Sequence, residues 1–169
     1  LKKSDDVTHK ESQKPRQYWI LKSEPGNYSI DDFKRDKKAL WTGVRNYQAR
    51  NFMISTMKPG DEFVFYHSNA TPSAAMGIGK VLKVNVPDPT ALDPKSQYYD
   101  AKASLDHPIW FCAEVAYTAH LKTTLSLADL RENQELASME LLKKGQRLSV
   151  LPLSANEFHV LKRMGGLAK

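Results

Sequence analysis

Cysteine is nearly absent from the 169 residues. Cys112 stands alone, so no internal disulfide can staple the chain and a reducing compartment is open to it. Its setting in Trp110-Phe111-Cys112-Ala113 reads as that of a small buried hydrophobe. Long apolar runs are missing too: none approaches the roughly 18 residues of a membrane-spanning helix, and the N-terminus lacks the apolar stretch of a secretory signal. No membrane partner is therefore expected. An intracellular location is, nuclear in a eukaryote and cytoplasmic in a bacterium. His9, His67, His107, His120 and His159 show no metal-ligand spacing, and neither a nucleophile elbow nor a phosphate-cradling glycine loop occurs. A binding protein without catalytic residues, metal or cofactor is the expectation.

What the chain does have is positive charge, +6 with a pI near 9.3, on a sequence that is 41% hydrophobic and 26% charged. This suits one compact domain with its own core, and an anionic partner. The 9% aromatic content favours nucleic acid over a membrane surface. Residues 1–17 are polar and charged, too poor in apolar groups to offset the entropy of ordering, and are expected to be a disordered tail ahead of a domain spanning 18–169. A monomer is expected.

The first strand is read over Tyr18 to Ser23, stopped by Pro25-Gly26. Ser29 and Asp32, with Tyr28 and Phe33 as a hydrophobic staple, open a helix ending near Lys37. Asn46 caps a second helix reaching Met57 before Pro59-Gly60. Strands follow over Asp61 to His67 and Met76 to Val84. Gly77 and Gly79 in the latter mark a bulge, a barrel corner or the approach of a ligand. Pro87 to Pro108 is a long irregular stretch of the kind that is functional or disordered. A strand over Trp110 to Tyr117, a helical segment opened by Ser126 and broken near Asn133, a return to the sheet over Arg147 to Leu151, and a helix capped by Ser154 and Glu157 complete the chain. Short strands mixed with short helices, without regular βαβ alternation, indicate an α+β fold: a small barrel of mixed, mostly antiparallel strands decorated by short helices.

Trp41-Thr42-Gly43-Val44-Arg45-Asn46-Tyr47-Gln48-Ala49-Arg50-Asn51 gathers groups suited to holding a flat polar ring. Helical spacing puts Arg50 inside the apolar arc of Ala49, Phe52, Met53 and Met57, where a guanidinium needs a partner. It is either a structural ion pair or a donor fork lining a pocket. Asn46 is a helix cap, or it addresses a ligand at the positive end of the helix. Trp41 is either core or one wall of a stacking slot. Trp19 and Trp110 open apolar strand-like runs and read more simply as core, as His67 reads more simply as a hydrogen-bonded structural histidine.

Tyr18 to Pro25, Trp41 to Met53, Phe65-Tyr66-His67-Ser68-Asn69, and Tyr98-Tyr99-Asp100 ahead of Pro108-Ile109-Trp110 together resemble the EVE domain family over roughly residues 18 to 164. The resemblance implies a PUA-like pseudo-β-barrel related to the YTH and SRA domains, and a binder of modified DNA or RNA bases such as 5-methylcytosine or 5-hydroxymethylcytosine. It implies a base pocket drawn from Trp19, Lys22, Ser23, Trp41, Asn46, Arg50, Asn51, Tyr66, His67 and Ser68, with Arg45 and Arg50 on phosphates. Ala70 to Ala75 lengthens a connection that is short in the family and alters the pocket rim. Trp41→Ala is expected to abolish ligand binding while leaving the fold intact. Two other functions stand beside this one. A small hydrolase or nucleotide-processing enzyme of ASCH-like type would use Lys22 and Glu24, helped by Arg50. It would lose its best base if Glu24 were locked in a pair away from the cleft. A peptide-recognition module would instead show an apolar, uncharged cleft.

Overall fold

The computed structural model describes residues 15–168. Most of the expected disordered tail, residues 1–14, lies outside the described residues. Arg16 pairs with Glu62 at 3.1 Å and the Gln17 N–H donates to Asp61 Oδ1 at 3.0 Å.

One six-stranded sheet organises the chain. Its strands are β1 (Tyr18–Ser23), β2 (Lys38–Leu40), β3 (Glu62–His67), β4 (Ala74–Pro87), β5 (Phe111–Ser126) and β6 (Val150–Leu153), in the spatial order β2-β5-β4-β3-β1-β6. Every neighbouring pair is antiparallel except β1 with β3. Among the described residues four α-helices decorate it: α1 (Ile30–Asp36), α2 (Tyr47–Asn51), α3 (Leu127–Glu132) and α4 (Ala155–Met164). This is the expected α+β class, a mixed and mostly antiparallel sheet consistent with a PUA-like pseudo-barrel.

Both faces of the sheet are covered, which is why its central strands read as nearly continuous apolar runs. Ile20, Val64, Tyr66 and Leu151 point into a core closed by α3 and α4. Trp19, Leu21, Phe63, Phe65 and Val150 point into a second core with Ile30 and Phe33 of α1, Trp41, and Ala49 of α2. Local caps set the helix starts. Ser29 with Asp32, Ser126 with Asp129, and Ser154 with Glu157 each form a reciprocal capping box.

Register shifts along β4 and β5, between Ala75 and Gly77 and again between Ile78 and Gly79, mark bulges that bend and twist the ribbon. The glycines there serve packing. A Cβ on Gly79 would sit 2.5 Å from Phe63 Cζ and 2.8 Å from the Ala116 carbonyl oxygen. Gly79→Ala should therefore cost about 1–3 kcal/mol through overpacking, measured by urea denaturation; an unchanged midpoint would refute that close fit.

The structure departs from the sequence reading at several elements, among them β6, which spans Val150–Leu153 where Arg147 to Leu151 was expected, and β4, which spans Ala74–Pro87 where Met76 to Val84 was expected. β2 was not anticipated, and β5 runs on to Ser126 where a strand ending at Tyr117 was expected. The helix capped by Asn46 is α-helical only to Asn51. It continues as a π-helical turn over Phe52–Thr56, in which the Met57 N–H donates to the Phe52 carbonyl.

Candidate functional site

A cleft of about 970 Å³ opens where the C-terminal end of β1 faces the edge strand β2. One side is built from Lys22, Ser23, Glu24 and the turn to Tyr28. The other is built from the segment Lys38 to Val44. Ser68 and Asn69 after β3, Gln97 and Tyr98 of the long loop, and Arg147 and Ser149 before β6 complete the lining. Backbone bonds hold these pieces in place: the Lys22 N–H donates to the Ser149 carbonyl at 2.9 Å, and the Ser68 N–H donates to the Ser23 carbonyl at 3.0 Å. Ser23 Oγ donates to the Tyr28 carbonyl at 2.6 Å and closes the turn after β1.

Trp41 lies at the boundary between cleft and core. It lines the cleft, yet it is only 6% exposed. Its indole meets Phe65 edge to face at a centroid distance of 5.2 Å and Phe63 at 5.9 Å, while its backbone N–H donates to the Ala113 carbonyl at 2.8 Å. The expectation that it could be removed without harm to the fold does not hold against this packing. Two further aromatics line the cleft, Tyr28 and Tyr98, and both are half-buried.

The wall bearing Tyr98 depends on a buried hub at Asp88. Asp88 Oδ2 accepts from the Gly43 N–H at 2.8 Å and from Arg45 Nη1 at 2.9 Å, while Oδ1 accepts from the Thr90 N–H and hydroxyl. Burial by itself would raise the Asp88 carboxyl. The bonds from Thr90, Gly43 and Arg45 outweigh it and hold the group below the usual carboxylate range. Gly43 adopts φ +84°, and a Cβ there would strike the Tyr98 ring at 2.8 Å. A glycine is required for both reasons.

Arg45 takes the opposite role to the one expected. Its Nε and Nη2 donate to the Tyr98 carbonyl, Nη2 also to Thr90 Oγ1, and Nη1 to Asp88 and the Val44 carbonyl. Every guanidinium N–H is engaged, so none is left for a phosphate. Arg50 has found its partners as well. Nη1 donates to the Ile109 carbonyl at 2.9 Å, Nε and Nη2 donate to Asn51 Oδ1, and the guanidinium lies 4.7 Å from the Tyr47 ring centroid. Tyr47 in turn stacks on Trp110 at 4.8 Å, and the Trp110 indole N–H donates to Asp100. This cluster fastens the long loop to α2. It is not part of the cleft lining.

Of the sequence-derived pocket residues, Lys22, Ser23, Trp41 and Ser68 are brought together in the cleft. The others are placed elsewhere, each for a visible reason. Trp19 is core, with its indole N–H on buried Asp61 at 3.0 Å. Asn46 caps α2 by accepting from the Ala49 N–H, and Asn51 is held by Arg50. Tyr66 is buried against the α3 and α4 side of the sheet. His67 Nε2 accepts from the Ile30 N–H at the start of α1, and burial keeps its pKa low, which favours the neutral acceptor form. Tyr28, Asn27, Asn69, Gln97, Tyr98, Lys38 and Arg147 line the cleft and were missed. No local motif marks them, although Asn69 and Tyr98 fall within stretches that carried the family resemblance.

Electrostatically the cleft mixes signs. Asp36 lies below the ordinary carboxylate range because Arg35 and then Tyr28 hydrogen-bond it. Burial lowers the pKa of Lys22. Glu24 lines the cleft and, among the described residues, belongs to no ion pair. Burial pushes the Cys112 thiol up to about 12, so it is unreactive. No helix among the described residues is long and apolar enough to cross a membrane, and no group of three potential metal ligands occurs among them.

Comparison with known proteins gives a consistent result. The EVE domain family model matches residues 17–164. Thymocyte nuclear protein 1 of Mus musculus is 38% identical over 160 residues, covering 83% of this chain and 70% of that protein. A crystal structure of a Pseudomonas syringae protein has 45% identity and a TM-score of 0.83, covering 88% of this chain and 99% of that one. Human THYN1, crystallised in complex with DNA containing 5-methylcytosine, is 32% identical with a TM-score of 0.82, covering 90% of this chain and 99% of that one.

Proposed function

This chain belongs to the EVE domain family, and from that premise we propose that it is a nucleic-acid-binding module that captures a modified base, such as 5-methylcytosine, in the cleft between β1 and β2. The observation that carries the reading is the lining itself. Tyr28 and Tyr98 supply aromatic surface together with the small exposed part of Trp41, while Asn27, Asn69 and Gln97 supply amides that both donate and accept. A base offers the matching pair of features, a flat π face and a polar edge. Stacking contributes about 1–3 kcal/mol per base irrespective of identity, so discrimination falls to the amides and to contact with the added methyl group. The DNA-bound human relative supports the same class of ligand. A nuclear location in a eukaryotic cell is part of the same proposal, supported by the likeness to thymocyte nuclear protein 1.

Titration with oligonucleotides differing only at one cytosine tests the proposal, in DNA and in RNA. Burying one methyl group is worth about 0.8 kcal/mol, so the 5-methyl form should bind about fourfold more tightly than the unmodified one. Equal affinities for unmodified, 5-methyl and 5-hydroxymethyl oligonucleotides would end the modified-base reading.

The hydrolase alternative keeps one observation in its favour, since Lys22 and Glu24 both line the cleft and Glu24 is in no ion pair among the described residues. Its third member, Arg50, is held outside the cleft by Ile109 and Asn51. Turnover of a nucleotide that disappears in Glu24→Gln would establish this alternative. The charged rim speaks against a purely peptide-binding groove.

A further inference from the structure

We infer that the cleft holds a phosphate group of the bound strand between Lys22, Lys38 and Arg147. This deepens the proposed function and rests on it. The three cations come from separate parts of the chain, β1, β2 and the segment leading into β6, and they line one cleft. Among the described residues none of them belongs to an ion pair. The other basic residues that sequence reasoning assigned to phosphates are committed elsewhere, with Arg45 fully engaged by Asp88, Tyr98, Thr90 and Val44.

Like charges converging on one concavity raise its potential and favour an anion there. Lys38 and Arg147 are exposed, whereas Lys22 is half-buried and loses hydration. An anion beside the ammonium offsets that loss. Of the two carboxylates in the lining, Asp36 is occupied by Arg35 and Tyr28, which leaves Glu24 as the charge opposing the ligand. A phosphodiester is a better match than a single carboxylate, because its oxygens can be met from several directions. Such contacts fix the register of the strand, and the amides and aromatics are left to read the base.

Salt dependence of binding separates a phosphate contact from a structural role. The full chain is titrated against a duplex carrying one 5-methylcytosine, by fluorescence anisotropy, across a series of potassium chloride concentrations. Lys38→Gln and Arg147→Gln should each weaken binding several-fold and reduce the slope of log K against log salt by about 0.9. Glu24→Gln should tighten binding. Lys80→Gln, at an exposed β4 position outside the cleft lining, should change neither slope nor affinity. If the duplex still binds and both cleft variants keep the original slope, the phosphate subsite alone is overturned. If the unaltered chain binds no oligonucleotide, the proposed function falls and the subsite with it.

Discussion

Asp88→Ala should lower the unfolding free energy by about 3–5 kcal/mol, the range found when one partner of a buried ion pair is removed and the other charge is left behind. The Asp88 side chain is fully buried, and Arg45, its partner at 2.9 Å, is largely buried too. The substitution also takes away the acceptor for the Gly43 and Thr90 N–H groups. Urea denaturation measures the loss, and a difference below about 1 kcal/mol would show that the hub is dispensable. The pH dependence has a definite sign. The Asp88 carboxyl is depressed in the fold, so its contribution is complete above the carboxyl's ordinary unfolded value and is lost as pH falls through the lower folded value. The stability gap between the two proteins should therefore narrow as the measurement moves from about pH 7 to about pH 3. Loss of the hub should also abolish ligand capture, since Gly43 and Tyr98 meet in the cleft wall that Asp88 and Arg45 hold together.

Trp41→Ala should be comparably damaging to the fold, at about 3–5 kcal/mol. Its indole is almost wholly enclosed by the core that contains Phe63, Phe65 and Val44, and alanine would leave a cavity beneath the cleft floor. Loss of binding in this variant would say nothing about stacking unless folding is measured alongside it. Thermal and urea unfolding of Trp41→Ala decide the matter. A variant as stable as the parent would show that the tryptophan serves the ligand alone.

Features legible in the sequence were those set by neighbouring residues. The boxes at Ser29 with Asp32 and Ser154 with Glu157 needed only three-residue spacing, and the continuous apolar run Phe63-Val64-Phe65-Tyr66 sits within the strand read over Asp61 to His67. What was illegible depends on distant parts of the chain. β2 has just three residues and no usable periodicity; it exists because Ala39 pairs with Val115 of β5. The fates of Arg45 and Arg50 were fixed by Asp88, Tyr98 and Ile109, dozens of positions away. Either arginine could have faced a ligand from the local pattern alone. The cleft was half visible for the same reason. Lys22 and Ser23 sit on a strand that the sequence declares, whereas Gln97, Arg147 and Ser149 are recruited by the topology.

The position of β1 also governs when the protein can become competent during synthesis. β1 lies inside the sheet, paired on one side with β3 and on the other with β6, whose Val150 to Leu153 are made more than a hundred residues later. Such distant pairing carries a large loop-closure entropy and belongs to slowly folding, high-contact-order topologies. Until that last strand emerges, the outer edge of β1 is unpaired, and the Ser149 carbonyl that receives the Lys22 N–H is missing. A ribosome-bound chain stopped before Arg147 could assemble β3, β4 and β5, yet its cleft would lack Arg147 and Ser149, and β1 would have one edge open.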